Sequence, residues 1–162
     1  MVVDFAIHDI DVCNYLMGRA PIRISATGGT ARGGPIDYSE IFLDYDGAAG
    51  FLQANWLTPI KIRKLTVTGT AGYAELDYIT QTLDLYQPSD TGGFSTFNEL
   101  QERYGSSRIS VAPIVQQEPL EFELTGFLAR LGDGTGEIVT PREAIDALRV
   151  AEAALAQVGR AA

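Results

Sequence analysis

The residues with the clearest chemical potential stand at the start of the chain, in Asp4-Phe5-Ala6-Ile7-His8-Asp9-Ile10-Asp11. His8 is the only histidine in the sequence, with Asp4 four residues before it and Asp11 three after. In a helix, Asp4, His8, Asp11 and Tyr15 fall at i, i+4, i+7 and i+11, on one face. A histidine between two carboxylates can have its tautomer and orientation fixed, and its affinity for a proton raised by the neighbouring charge. That arrangement suits proton transfer. The bland alternative is a surface histidine on a helix whose first turn Asp4 merely caps. A metal hydrolase built on Asp4, His8 and Asp11 is a further alternative. It is disfavoured because the three share one helix face and no second histidine completes a site.

A helix over 4–17 must position these groups. Phe5, Val12 and Leu16 form an apolar stripe beside the polar one, and Gly18 supplies the stop. Only Met1-Val2-Val3 precede the helix. So early a chemical motif suggests a chain that begins inside a larger architecture.

The remainder alternates with period two. Strands are expected at 22–26, 36–45, 49–57, 64–70 and 73–79, with a short one around Leu83 and Leu85. Asp46-Gly47 is a strong hairpin turn. The glycine-rich run 27–35 lacks the Gly-Lys-Ser/Thr ending of a phosphate loop, and no helix pattern opens after it, so a hairpin connection is the expectation. Residues 88–113 form a long segment of irregular pattern, in which Phe94, Phe97 and Tyr104 anchor the chain or line a cleft, and 108–115 pairs with a sheet edge. Two helices close the sequence. Leu120, Leu124, Phe127, Leu128 and Leu131 make the apolar stripe of the first. Thr140-Pro141-Arg142-Glu143 is a capping box that opens the second, which is expected to bury Ile145, Leu148, Leu155 and Val158. The fold class is therefore α+β: an open-faced, antiparallel-dominated (mixed) β-sheet with helices packed on one face.

Composition narrows the function. At 162 residues the chain is read as one domain, 1–162, large enough to bury a core. Its single cysteine excludes an internal disulfide and a cysteine-based zinc site, and fits a reducing, cytoplasmic setting. A net charge of −9 argues against a nucleic-acid partner. No apolar run approaches the roughly 18 residues of a membrane span, and no signal peptide opens the chain.

Together these residues resemble a known domain. Asp4-x-x-x-His8, running into Asp9-Ile10-Asp11 and Tyr15-Leu16-x-Gly18, looks like the opening helix of the C-terminal domain of Gfo/Idh/MocA oxidoreductases. Trp56-x-x-Pro59 with Lys61-x-Arg63-x-Leu65-x-Val67-x-Gly69-Thr70-x-Gly72 resembles its middle, and is most similar to members of the UDP-N-acetylglucosamine 3-dehydrogenase type. Pro119-Leu120-x-x-Glu123-Leu124-x-x-Phe127 and Pro141-x-x-Ala144-x-x-Ala147-Leu148 match its end.

The resemblance implies a substrate-binding and oligomerisation domain acting on a sugar or nucleotide-sugar hydroxyl. It implies catalytic roles for His8 and Asp4 in removing the hydroxyl proton, and substrate contacts from Asp11, Tyr15, Lys61 and Arg63. Family members carry NAD or NADP on an N-terminal Rossmann domain, with a catalytic lysine in a Glu-Lys-Pro motif. This sequence shows neither, and Lys61 and Lys64 lie in the wrong domain to replace that lysine. The expectation is a domain separated from its cofactor domain, binding no NAD(P) and no metal alone, and forming a homodimer or tetramer through the open sheet face. A free-standing assembly or ligand-binding module without catalytic activity is the alternative.

Overall fold

A computed structural model of the chain describes residues 2–87, 96–99 and 108–158. A π-helical turn at Val2–Ala6 runs into α1 (Ile7–Met17). Strands β1 (Arg23–Gly29), β2 (Tyr38–Asp44), β3 (Ala49–Asn55), β4 (Lys64–Gly69), β5 (Gly72–Asp77), β6 (Thr82–Gln87) and β7 (Arg108–Ala112) follow. Then come α2 (Pro119–Gly132) and α3 (Pro141–Val158). The α+β class is as expected. The strands divide into two sheets, β1-β2-β3 and β4-β5-β6-β7, and every pairing is antiparallel among the described residues. The chain correspondingly forms two compact units, Met1–Pro59 with Gly126–Ala162, and Ile60–Thr125.

In the first unit, the turn and strand signals agree with the structure. Asp46 and Gly47 both take positive φ (58° and 94°), as a two-residue turn matching the right-handed twist of its strands requires. Tyr45 N–H closes that turn on Ala48 C=O at 2.9 Å. Of the glycine-rich run 27–35, Thr27, Gly28 and Gly29 belong to β1, and only 30–35 lie in the β1–β2 connection. The Asp37 carboxylate gathers it by accepting Ala31 N–H at 2.9 Å and Arg32 N–H at 3.2 Å. The register opposes Ile24 to Leu43, Ala26 to Ile41, and Ile41 to Leu52. These residues therefore share one face, and helices cover it. Ile41, Leu43, Tyr45, Leu52 and Ala54 pack with Val2, Ala6 and Ile10 and with Ala147, Val150, Ala151 and Ala154. The opposite face leaves Phe42 and its cross-strand partner Phe51 exposed.

Two expected helix faces are corrected. The first helix buries Ala6 and Ile10 and packs Cys13 and Met17 against the core, whereas Phe5 and Leu16 are exposed. In α3 the buried stripe is Ala147, Val150, Ala151, Ala154 and Val158, while Ile145 and Leu148 are exposed. Alanine has no side chain beyond Cβ to hold two backbones apart, so an alanine face fits where α3 lies against β1 and α1. Counting only large apolar residues misses it. The capping box forms as expected: Thr140 N–H donates to Glu143 Oε2 at 2.7 Å, and Glu143 N–H to Thr140 Oγ1 at 3.3 Å.

In the second unit, Lys64, Thr66 and Thr68 stand opposite Asp77, Glu75 and Tyr73, so the expected polar face is continuous. Lys64 Nζ reaches Glu75 at 2.8 Å across it. Leu65, Val67, Ala74, Leu76, Leu83 and Leu85 share the other face, half-buried or exposed. Gly72 (φ 147°) ends the tight β4–β5 turn, where an added Cβ would sit 2.3 Å from Tyr86 C=O. β7 pairs with β6, as the expected edge strand. The remaining expectations for 88–113 fall mostly outside the described residues, Phe94 and Tyr104 among them. The α2 stripe forms on a helix whose Leu120, Leu124, Phe127, Leu128 and Leu131 are all exposed.

Candidate functional site: the first helix and its acidic cleft

Asp4 sits in the π-helical turn, whereas His8, Asp11 and Tyr15 belong to α1. A π-turn widens the backbone by bonding i to i+5 rather than i+4. The expected single face of four residues rests on α-helical periodicity, which begins only at Ile7. Asp4 and His8 are both exposed, and Tyr15 is 80% exposed. α1 ends as its glycine requires: Gly18 is left-handed (φ 64°), and the Gly18 and Arg19 N–H groups cap Tyr15 and Asn14 C=O, each at 3.2 Å.

Asp11 and Tyr15 line a cleft of about 500 Å³ in the first unit, together with Asn14, Arg19, Glu143 and Asp146. His8 and Asp4 do not line it. Burial pushes the Asp11 carboxyl above the usual aspartate range, the Glu143 charge adds to that, and His8 draws it back down. Glu143 is itself held low by hydrogen bonds from the backbone and hydroxyl of Thr140. The acidic wall supplied by α3 stands over 130 residues away in sequence, and no local spacing around His8 pointed to it.

The floor of α1 is fixed from below. Tyr45, fully buried, donates its hydroxyl to Asn14 Oδ1 at 3.0 Å. The Arg19 guanidinium donates to the Tyr45 and Asp46 carbonyls. Cys13 packs against the core, where burial and the Asp9 charge push its thiol up, away from the thiolate a nucleophile needs.

Lys61 and Arg63 lie in the second unit. Both are exposed, and the Arg63 guanidinium stands 5.9 Å from the centre of the Tyr78 ring. Among the described residues no three His, Cys, Asp or Glu side chains are placed to hold a metal ion. No described helix is long and apolar enough to cross a membrane. The Rossmann mode of holding a dinucleotide uses a strand, a glycine loop and a helix N-terminus. The glycine-rich loop here joins two antiparallel strands instead. Among the described residues this loop is therefore not a Rossmann-type dinucleotide cradle.

At the beginning of the site helix and beside the last strand of its sheet lies an aromatic pair. The Phe5 and Trp56 ring centres are 6.0 Å apart, and the planes are inclined at 81°.

Comparison with known proteins gives this geometry its context. The family model for the GFO/IDH/MocA C-terminal domain matches residues 1–75. No curated protein matches the chain. Among solved structures, UDP-N-acetylglucosamine 3-dehydrogenase GnnA from Acidithiobacillus ferrooxidans is 18% identical with a TM-score of 0.80, over 97% of this chain and 46% of that one. An NAD-binding protein from Listeria innocua is 20% identical with a TM-score of 0.73, over 99% and 45%. Biliverdin reductase from Synechocystis sp. PCC 6803, solved with biliverdin and NADP+, is 15% identical with a TM-score of 0.65, over 95% and 47%. The chain thus spans less than half the length of each, and at these identities the likeness is one of fold. The resemblance read from the Asp4/His8 helix and the Trp56 stretch is borne out: residues 1–75 match the C-terminal domain of the Gfo/Idh/MocA oxidoreductases, and nearly the whole chain takes the fold of proteins of that kind.

Proposed function

We propose that this chain is the substrate-binding and oligomerisation domain of an NAD(P)-dependent oxidoreductase acting on a sugar or nucleotide-sugar hydroxyl. The observation that carries the reading is the family match over the segment containing Asp4 and His8, with both side chains open to solvent. In this reading His8 accepts the proton of the substrate hydroxyl. Asp4, four residues earlier in the π-helical turn, assists the removal of that proton, the role the resemblance implies for it. Asp11 and Tyr15 hold neighbouring hydroxyls from the cleft. The substrate class draws support from GnnA, a UDP-N-acetylglucosamine 3-dehydrogenase of the same fold. In this reading the nicotinamide cofactor is that of the whole oxidoreductase, a reading supported by the NADP+ bound to the biliverdin reductase of the same fold.

His8 is the sole histidine, so its imidazole proton resonances are unambiguous in a one-dimensional NMR spectrum. Titration with UDP-N-acetylglucosamine should move them saturably. In an enzyme joined to its cofactor domain, His8→Ala should lower kcat by about 10²–10⁴ while KM changes little, since proton transfer acts mainly in the transition state. Imidazole signals that stay fixed under saturating sugar nucleotide, or an unchanged kcat with a raised KM, would refute the catalytic role.

A further inference from the structure

The open face of the β1-β2-β3 sheet carries a cleft of about 350 Å³ that no residue of α1 lines. Ser39 and Ile41 on β2, and Leu52 and Ala54 on β3, are buried toward the helices. Side chains alternate along a strand, so Tyr38, Glu40, Gln53 and Asn55 turn to the opposite face. The register sets Tyr38 opposite Asn55 and Glu40 opposite Gln53. The four make a rectangle of roughly 5 by 7 Å, from the spacing of cross-strand partners and of alternate residues along a strand. Leu57 and Thr58 complete the wall. Tyr38 leans over its other partner, Gly29 of β1, where an added Cβ would lie 3.0 Å from the phenol oxygen. The ring thus borders the cleft on the β1 side and leaves the ground between β2 and β3 open.

The bonds that hold these side chains decide what they offer. The Asn55 side-chain oxygen accepts Leu57 N–H at 2.9 Å, Thr58 N–H at 2.8 Å and the Thr58 hydroxyl at 2.8 Å. A backbone N–H only donates, so the oxygen faces the turn and the amide nitrogen stands as a donor on the other side. Gln53 Nε2 donates to Glu40 Oε1 at 3.2 Å, which leaves Gln53 Oε1 and Glu40 Oε2 as acceptors. One carboxylate and no basic side chain line the cleft, so an anion is repelled. An ammonium ion would suit the acceptors but give Asn55 nothing to donate to. A hydroxyl group both donates and accepts. We propose that this cleft binds a neutral sugar unit, two neighbouring hydroxyls donating to Glu40 and Gln53 while a third oxygen accepts from Asn55. A volume of this size and a few fixed polar groups suit a small ligand. Because the cleft lies on the sheet face away from α1, this site is additional to the one read around His8 and does not depend on it.

The test uses the whole chain, isotopically labelled for NMR, and three probes: glucose, glucuronate and methylammonium. The side-chain amide signals of Asn55 and Gln53 report on this cleft, and the His8 imidazole reports on the first helix. Glucose should move both amide signals saturably, and the two charged probes at the same concentration should leave them in place. Glu40→Ala and Gln53→Ala should each weaken glucose binding about tenfold, the scale of a lost hydrogen bond. Both side chains lie on the open face, and thermal melting checks that each variant is folded. A folded variant that binds as tightly as the wild type would overturn the inference. An equal shift with methylammonium would reduce the site to the charge of Glu40 and overturn the sugar assignment, and an equal shift with glucuronate would overturn it too. Amide signals that move on dilution of the protein and not with glucose would give the face to a second copy of the chain instead. Movement of the His8 imidazole with both amide signals still would overturn this site and leave the reading of the first helix standing. Amide signals fixed up to ~10 mM glucose, tenfold above a millimolar Kd, would remove the inference alone, since the His8 reading is tested by the sugar nucleotide.

Discussion

Gln157 on α3 bonds the backbone of Ala26 on β1 across 131 positions of sequence: Ala26 N–H donates to Gln157 Oε1 at 2.9 Å. The same side chain returns a donor, Nε2 to Ile24 C=O, at 3.0 Å. β1 is the edge of its sheet, with β2 on one side only. A side-chain amide presents one donor and one acceptor, as a neighbouring strand would, and so satisfies two backbone groups of that edge. Gln157→Ala should therefore cost about 1–3 kcal/mol, from two partly buried backbone groups losing their partner. Gln157→Glu should also destabilise at neutral pH, since a carboxylate offers Ile24 C=O no proton. Urea unfolding measures both, and midpoints equal to wild type would show that water replaces the amide without loss.

The close approach of the same strands limits Gly28. An added Cβ there would lie 2.4 Å from Tyr38 C=O and 3.0 Å from Val158 Cγ1. The first contact is backbone and cannot swing away. Gly28→Ala should destabilise by about 1–3 kcal/mol, as overpacking does. Calorimetric melting should show the loss, and an unchanged melting temperature would mean that β1 and β2 separate without cost.

Asp11 should make stability depend on pH with an unusual sign for an aspartate. Its folded pKa is raised by burial and by Glu143, so the native state holds the proton more tightly than the unfolded chain. Ionisation then costs stability, and the cost grows as pH rises from the unfolded value near 3.8. Asp11→Asn should raise the melting temperature at pH 7 by no more than about 2 °C, the scale of a solvent-screened charge. The gain should vanish near pH 3, where both states are protonated. An equal gain at both pH values would assign the effect to packing instead of charge.

The polar face of the β4–β7 sheet is continuous through Lys64, Thr66, Thr68, Glu75 and Asp77. We propose that two copies stack through this face about a two-fold axis. Light scattering over a dilution series should report a dimer. Thr68→Arg should dissociate it, because a two-fold interface doubles each new positive charge. A Thr68→Arg chain that stays fully associated would locate the interface elsewhere.

Local chemistry made much of this protein legible from sequence. Asp46-Gly47 announced its hairpin because only a residue pair tolerant of positive φ fits a two-residue turn. Thr140 and Glu143 announced a helix start, since their side chains satisfy N–H groups within one turn. Gly18 announced a helix end for the same short-range reason. Alternation placed Thr66, Thr68, Glu75 and Asp77 on one face because side chains on a strand alternate whatever it packs against. Asp4 and His8, read with their spacing, pointed to a resemblance that the family match over residues 1–75 supports.

Tertiary structure decided what depends on distant pairs. The seven strands of the described residues can close as one sheet or two, and hydrogen bonding between chosen neighbours divided them after β3. The core face of α3 went to alanines because helix, sheet and α1 approach closely there, a distance no helical period encodes. Asp11 met Glu143 and Asp146 only because α3 returned to the first unit across the whole length of the chain. Phe5 and Trp56, far apart in sequence, became one exposed aromatic pair for the same reason: side chains separated by many residues become neighbours only when the backbone between them folds.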